Sequence, residues 1–334
     1  MDWSKGFSIA YRVCTVDPVT WADGNRFDIL DGEINREATG LRQSADLTCD
    51  RYGYGSDEWI RVWADVKQGG SAEHIPLFTG LASVPEENIE GTLSTVELEC
   101  YSVLEPARKP LPIGWYASKR SAAGEVIKSL LEVTPAPVHI ERNSPRLSEH
   151  IIAEEDETHL SMVEAILDSI GWRMFIDGDG TIRVEPEEAT PVKTFGALAN
   201  DMLDPKVNRK SDYFECPNVF RAVSDGDTVV VYDDDPRSPF SIAARGREIW
   251  KGESGVKLAD DESLLQYARR KLKEAQGVGE SISYSRAYDP KVNVSDVIAL
   301  DYPKQGLAGN YIVKSQRITL DHKMTTSEEV NTIE

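Results

Sequence analysis

The sequence has few cysteines and no Cys-x-x-Cys pair: Cys14, Cys49, Cys100 and Cys216 are scattered through 334 residues. None has a histidine at metal-ligand spacing, which argues against a zinc site and against a disulfide framework. The four are expected as buried or semi-buried thiols made in a reducing cytoplasm. No segment approaches 18 uninterrupted apolar residues, and Met1-Asp2-Trp3-Ser4-Lys5-Gly6 lacks a basic region followed by an apolar one, so neither a membrane span nor a secretory signal is expected. Basic charge is short as well. Thirty-seven Lys and Arg stand against 57 Asp and Glu, a formal net charge of -20, which repels a phosphate backbone over much of the surface. Catalytic signatures are missing: there is no Gly-x-Ser-x-Gly and no His-Glu-x-x-His, and His74, His139, His150, His159 and His322 are dispersed. Neither enzymatic activity nor a cofactor is expected.

What is present is strand signal. Hydrophobic residues make up 40% and charged residues 28%, the composition of a chain that folds, and the length suits two or three domains. Period-two alternation marks Phe7 to Val13, Ala45 to Cys49, Trp59 to Val66 and Ser94 to Tyr101, separated by turn-rich pieces such as Gly53-Tyr54-Gly55-Ser56-Asp57. Two helices follow, at 121–131 and from Thr158 to Ile170 with Gly171 as the stop. Trp172 to Ile176 and Thr181 to Glu185 flank Asp177-Gly178-Asp179-Gly180 as a hairpin. Strands resume through Val219 to Val223 and Thr228 to Tyr232. One helix interrupts them, from Asp260 to about Ala275, with Asp260, Asp261 and Glu262 at its positive end and Gly277 as the stop. The expected fold is mainly β with an α+β insert: β-barrels at 1–110 and 205–334, the second with one helix, flanking a middle α+β domain at 111–204.

Tyr288 to Leu300 followed by Gly309-Asn310-Tyr311-Ile312-Val313-Lys314-Ser315-Gln316-Arg317-Ile318 resembles the closing hairpin of phage tail hub proteins. Trp59 to Trp63, Pro76-Leu77-Phe78-Thr79-Gly80-Leu81 and Val96 to Leu104 resemble their first barrel. The resemblance is one of pattern and order over nearly the whole chain. It implies two related barrels per subunit and a homotrimeric ring of near-sixfold shape. That ring would sit in the virion tail, between a hexameric tail tube or distal tail protein and a spike or tip protein, with the tape measure protein a further partner. DNA would pass through it without specific binding. The relatives called tail-associated lysins carry extra C-terminal hydrolase domains; this sequence ends at Glu334 after its last strands, so that activity is not expected. The alternatives are a carbohydrate- or receptor-binding tail module and, behind it, a cell-wall hydrolase.

Four features invite sharper readings. In the strand from Glu58 to Val66, Ile60, Val62, Ala64 and Val66 supply a core face, leaving Trp59, Arg61 and Trp63 on the other as candidate subunit contacts. The competing expectation is that a loop or the middle domain of the same subunit covers that face. Asp233-Asp234-Asp235 is expected as a solvated loop, with the bore of the ring or its rim as the candidate location. Asp177-Gly178-Asp179-Gly180 is a turn and not a calcium loop, since the sixth position, where Gly is required, is Ile182. Glu154-Glu155-Asp156-Glu157 reads as charge favoured at a helix start.

Overall fold

The structure, a computed structural model, describes residues 5–50, 57–90, 93–187, 190–196, 202–211, 214–224, 226–256, 258, 262–277 and 280–333. It is mainly β with a small α+β insert. Twelve strands form one sheet: β1 (Ser8–Val16), β2 (Asp23–Glu37), β3 (Arg42–Asp50), β4 (Glu58–Gln68), β5 (Ser71–Glu90), β6 (Leu93–Ser102), β7 (Lys193–Gly196), β8 (Met202–Ser211), β9 (Glu280–Ala287), β10 (Val297–Tyr302), β11 (Leu307–Thr319) and β12 (Thr325–Thr332).

The first six run in the order β1-β4-β5-β6-β3-β2, and β2 pairs again with β1, so they close on themselves with every neighbour antiparallel. Closure leaves the alternating apolar residues inside: Val13, Ile34, Ile60, Val62, Ala64, Leu77, Phe78 and Leu98 are buried together. Gly80 is required here, because a Cβ on it would stand 2.1 Å from the carbonyl oxygen of Tyr101 on the next strand.

The last six run β7-β10-β11-β12-β9-β8. Subtracting six from each label gives the order of the first set. The neighbours from β10 to β8 are antiparallel like their counterparts, whereas β7 runs parallel to β10. The two sets are one sheet because the second half of β2 pairs with the second half of β11, from Glu33↔Thr319 to Glu37↔Ser315. Ile318, Leu320 and Met324 from the second set are buried in the core of the first.

Between the sets, α1 (Ala123–Leu131) and α2 (His159–Ile170) share a core with the hairpin Trp172–Ile176 and Ile182–Pro186, which the strand Val138–Ile140 joins as a third member. Thr158 caps α2, exchanging hydrogen bonds with Ser161, and Gly171 ends it in the left-handed region. This corrects one expectation: a Thr158/Ser161 capping box, and not the acidic run before it, satisfies the free N–H groups, while the Glu157 carboxylate accepts from the Glu154 amide. The strands Val219–Ser224 and Asp227–Tyr232 also depart from expectation. With Trp250–Ser254 they form a separate three-stranded sheet, which carries the short α3 (Ile242–Arg245) and packs against α4 (Leu264–Gly277). Helix α4 starts later than expected, where Ser263 and Gln266 exchange cap hydrogen bonds, and Gly277 is its last residue. Asp260, Asp261 and the turn residues 53–56 lie outside the described residues. All four cysteines are free and buried, and burial pushes the Cys49 thiol up to about 12.

Behind the joint lies an ion pair sealed from water. Arg286 and Glu328 side chains are 1% and 0% exposed; Arg286 Nε donates to Glu328 Oε2 at 2.8 Å, Tyr284 Oη to the same oxygen at 2.6 Å and Gln316 Nε2 to Oε1 at 2.7 Å. Every carboxylate oxygen is answered, the condition under which a buried charge is tolerable. Glu328→Gln leaves the Arg286 charge buried without its counterion and is expected to cost about 3–5 kcal/mol in urea unfolding; a loss under 1 kcal/mol would refute this role.

Candidate functional site

Residues opposite each other on antiparallel strands share a face, and following the pairs across the joint traces one continuous surface. Ser44 faces Asn35, Asn35 faces Arg317, Arg317 faces Ser327, and Ser327 faces Ser285; a parallel row runs Glu37, Ser315, Glu329, Ser283, Asn208. These side chains line a concave recess of about 710 Å³ that spans both sets. Small hydroxyls and carboxylates dominate it.

A third row is more unusual. Glu33 lies opposite Asp46, and Asp46 opposite Glu99, so three carboxylates stand side by side on three neighbouring strands. Like charges placed directly opposite are destabilising, and partial burial, then Glu33, then Glu99 hold the Asp46 carboxyl above its ordinary range. Relief is slight: Arg317 stands 3.7 Å from Glu33, and Tyr101 Oη donates to Glu99 at 3.0 Å. A fold that keeps repelling groups on an open face gives up some stability for that face's charge. Chemically, such a surface repels polyanions and offers no basic stripe to hold them. Among the described residues no group of three or more His, Cys, Asp or Glu is placed to hold a metal. The row escaped the sequence reading because Glu33, Asp46 and Glu99 each look like an ordinary outward position of an alternating strand. Only the order β2-β3-β6 brings them together.

The residues singled out from the sequence fall elsewhere. Ile60, Val62, Ala64 and Val66 are buried as expected, but the opposite side of β4 is also covered by the chain itself. Arg61 is 6% exposed; it donates to Asp23 Oδ1 at 2.5 Å, to Thr79 Oγ1 at 3.1 Å and to the carbonyl oxygen of Asp179 at 3.1 Å. Trp59 packs on the middle core with its ring 5.8 Å from that of Trp21, and Trp63 lies between Arg12 and Arg61, at 5.0 and 6.0 Å. The outward assignment of Trp59 and Arg61 is therefore corrected: period-two alternation identifies two faces without saying what covers the second.

What covers it is the Asp177-Gly178-Asp179-Gly180 turn. The Gly178 carbonyl accepts from Thr79 Oγ1 at 2.9 Å, and that of Asp179 accepts from Trp21 Nε1 at 2.9 Å and from Arg61. The carboxylates act locally, Asp179 accepting from the Thr181 amide and Asp177 pairing with Arg183. The turn is thus a clamp between the hairpin and β4-β5. Asp233 and Asp235 are similarly occupied, Asp233 accepting from Ser238 in its own loop and from Gln276 on α4, and Asp235 from Arg237; Asp234 adjoins them. They belong to the small sheet with α4 and do not join the acidic row.

No family model matches the sequence, and no curated protein sequence matches it. Solved structures do share the fold. The tail protein from Neisseria meningitidis MC58 superposes with a TM-score of 0.70 at 14% identity, covering 98% of this chain and 96% of that one. The 43 kDa tail protein of prophage MuSo2 from Shewanella oneidensis gives 0.68 at 11% identity, covering 97% and 98%. The E. coli c3393 protein, a type VI secretion component described as similar to the T4 tail proteins gp27 and gp5, gives 0.55 at 9% identity over 92% of this chain and 74% of that one.

Three outcomes follow from the site. Gly178→Ala would place a Cβ 2.0 Å from the Pro76 carbonyl oxygen and is expected to cost about 1–3 kcal/mol, with faster proteolysis of the hairpin. Asp179→Asn should change neither, since an amide oxygen serves the Thr181 amide as well. Asp46→Asn is expected to stabilise by about 0.2–0.5 kcal/mol, the range for a largely exposed, screened pair. Because the folded state raises this carboxyl's pKa, ionisation costs stability above the folded pKa and the cost vanishes as pH falls through it. The advantage of the variant should thus be present in urea titrations at neutral pH and absent in acid; the reverse pH dependence would rule out charge repulsion as its source.

Proposed function

We propose, starting from the fold shared with phage tail proteins, that this chain is a structural subunit of a tail tip: a baseplate hub built as a homotrimeric ring. The observation that carries the reading is the doubled strand order, β1-β4-β5-β6-β3-β2 followed by β7-β10-β11-β12-β9-β8, with the two sets already joined edge to edge. A subunit with two like units converts threefold symmetry into near-sixfold shape, which is what a threefold tip meeting a hexameric tube requires. The ring-forming barrels correspond to about 1–110 and to the region from β7 onward, so the second begins at Lys193 and includes a strand that the sequence had placed in the middle domain. The region 111–187 serves as a bracket on one side.

In this assembly the concave polar face lines the bore. Three copies carry a formal charge of -60 (three times -20), and side chains within about 8 Å of the DNA path are those that matter at physiological salt. Glu33, Asp46 and Glu99 would keep phosphates from adhering, where basic groups would gain counterion-release free energy and retard passage. The bore is assigned to this face and not to the Asp233 loop. The flanking partners are a hexameric tube or distal tail protein and a spike or tip protein, with the tape measure protein ending nearby; the role is structural and not catalytic.

Native mass spectrometry of the purified protein tests the assembly: a species near 111 kDa (three times 37.1 kDa) is expected, appearing by electron microscopy as a closed ring. A monomer at all concentrations, or a ring whose bore is lined by Lys and Arg, would overturn the corresponding part of the reading.

A further inference from the structure

The joint inside the chain specifies what the joint between chains must be. It pairs β2, second from the start of the first set, with β11, fifth in the second set. The counterparts are β8 and β5. We propose that residues 83–90 of β5 in one copy add as an antiparallel strand to the outer edge of β8, residues 208–211, in the next copy. This rests on the hub reading and names the edges that close its ring.

Four observations support the match. First, β11 pairs with β10 over its first half and with β2 over its second half, while β5 pairs with β4 only as far as Ala82. Among the described residues no strand continues along that side of residues 83–90, although β6 lies along the other. Second, each strand breaks register where its first neighbour ends, β11 between Val313 and Ser315 and β5 between Ser83 and Glu86. Such irregularities re-aim a strand, and here each marks the point past which the strand keeps its second neighbour, β12 for β11 and β6 for β5, but no longer pairs with its first. Third, β8 stands at the end of the sheet order with β9 on one side. The two edges are complementary in charge, Glu86 and Glu87 on one and Arg209 and Lys210 on the other.

The fourth observation is Ile89. In the internal joint, Ile318 lies opposite Ile34, is 0% exposed, and belongs to the core of the other set. On β5, Ile89 lies opposite Ser94, two residues from buried Val96, and therefore shares the core-facing side of the sheet. It is nevertheless 71% exposed. An edge with no neighbour among the described residues, and carrying an exposed isoleucine, invites pairing with another chain. Added to β8, Ile89 would meet the end of the second core, where Val207 packs against Ile282 and its neighbours. The contact joins unlike edges, so it propagates in one direction around the ring. If it repeats the rotation of the internal joint, six units from three chains close.

The test is assembly of Ile89→Asp followed by native mass spectrometry. Because Ile89 is exposed in the single chain, the thermal midpoint of the monomer should be unchanged while the trimer dissociation constant rises at least about tenfold. Wild-type trimer stability in the variant would overturn the proposed edge and leave the hub reading intact; a monomeric wild-type protein would remove both. A photoreactive benzophenone side chain at position 208 gives a second readout that does not depend on the variant. Irradiation of the trimer should link it to peptides spanning residues 83–90 of another copy, and links confined to any other segment would overturn the edge assignment.

Discussion

A backbone ladder of five residue pairs, Glu33 to Glu37 against Ser315 to Thr319, is the constraint on which the molecule depends. Without it each set of six strands would end in an open row of N–H and C=O groups, and Ile318, Leu320 and Met324 would have no core to enter. With it, two sheets become one surface that bends as a unit. The Arg286–Glu328 pair, with Tyr284 and Gln316 on the same carboxylate, lies immediately behind the ladder. A sealed ion pair contributes little net stability compared with an apolar core, but it penalises any register in which one member loses the other. Its place fits that role: Gln316 is itself a ladder residue, and slipping β11 by one position would turn it to the wrong face.

Much of the architecture was legible because its signals are local. Alternation located β4 and β6, and the spacing of Leu160, Val163, Ile166 and Leu167 located α2, whose stop stands where Gly171 indicated. Local signals also misled. The carboxylates before α2 suggest a capping role that Thr158 fills, and the acidic residues before α4 are more conspicuous than the Ser263–Gln266 box that caps it. In both cases charge is the louder signal, while a short hydroxyl side chain is what reaches the backbone.

What could not be read was anything that depends on non-local order. The acidic row needs β2, β3 and β6 to be neighbours, and the sequence separates Glu33 from Glu99 by most of a domain. Arg61 looked outward because alternation has only two faces to offer; its burial depends on a turn 118 residues away. The same limit applied to the Val219–Ser224 hairpin, which reads like any other strand pair and yet belongs to a separate small sheet.

The clamp at residues 177–180 has a consequence for how such a molecule can change over time. Three of its contacts to β4-β5 and Trp21 end on main-chain carbonyl oxygens of Gly178 and Asp179, atoms that every amino acid supplies. Drift in the turn's side chains is therefore nearly silent at the docking surface, apart from Gly178 and Gly180, whose missing Cβ atoms allow the approach to Pro76 and to Thr79 and Trp21. Sequence at the turn can wander while the architecture holds, which is one physical route by which chains with 14% identity keep a common shape.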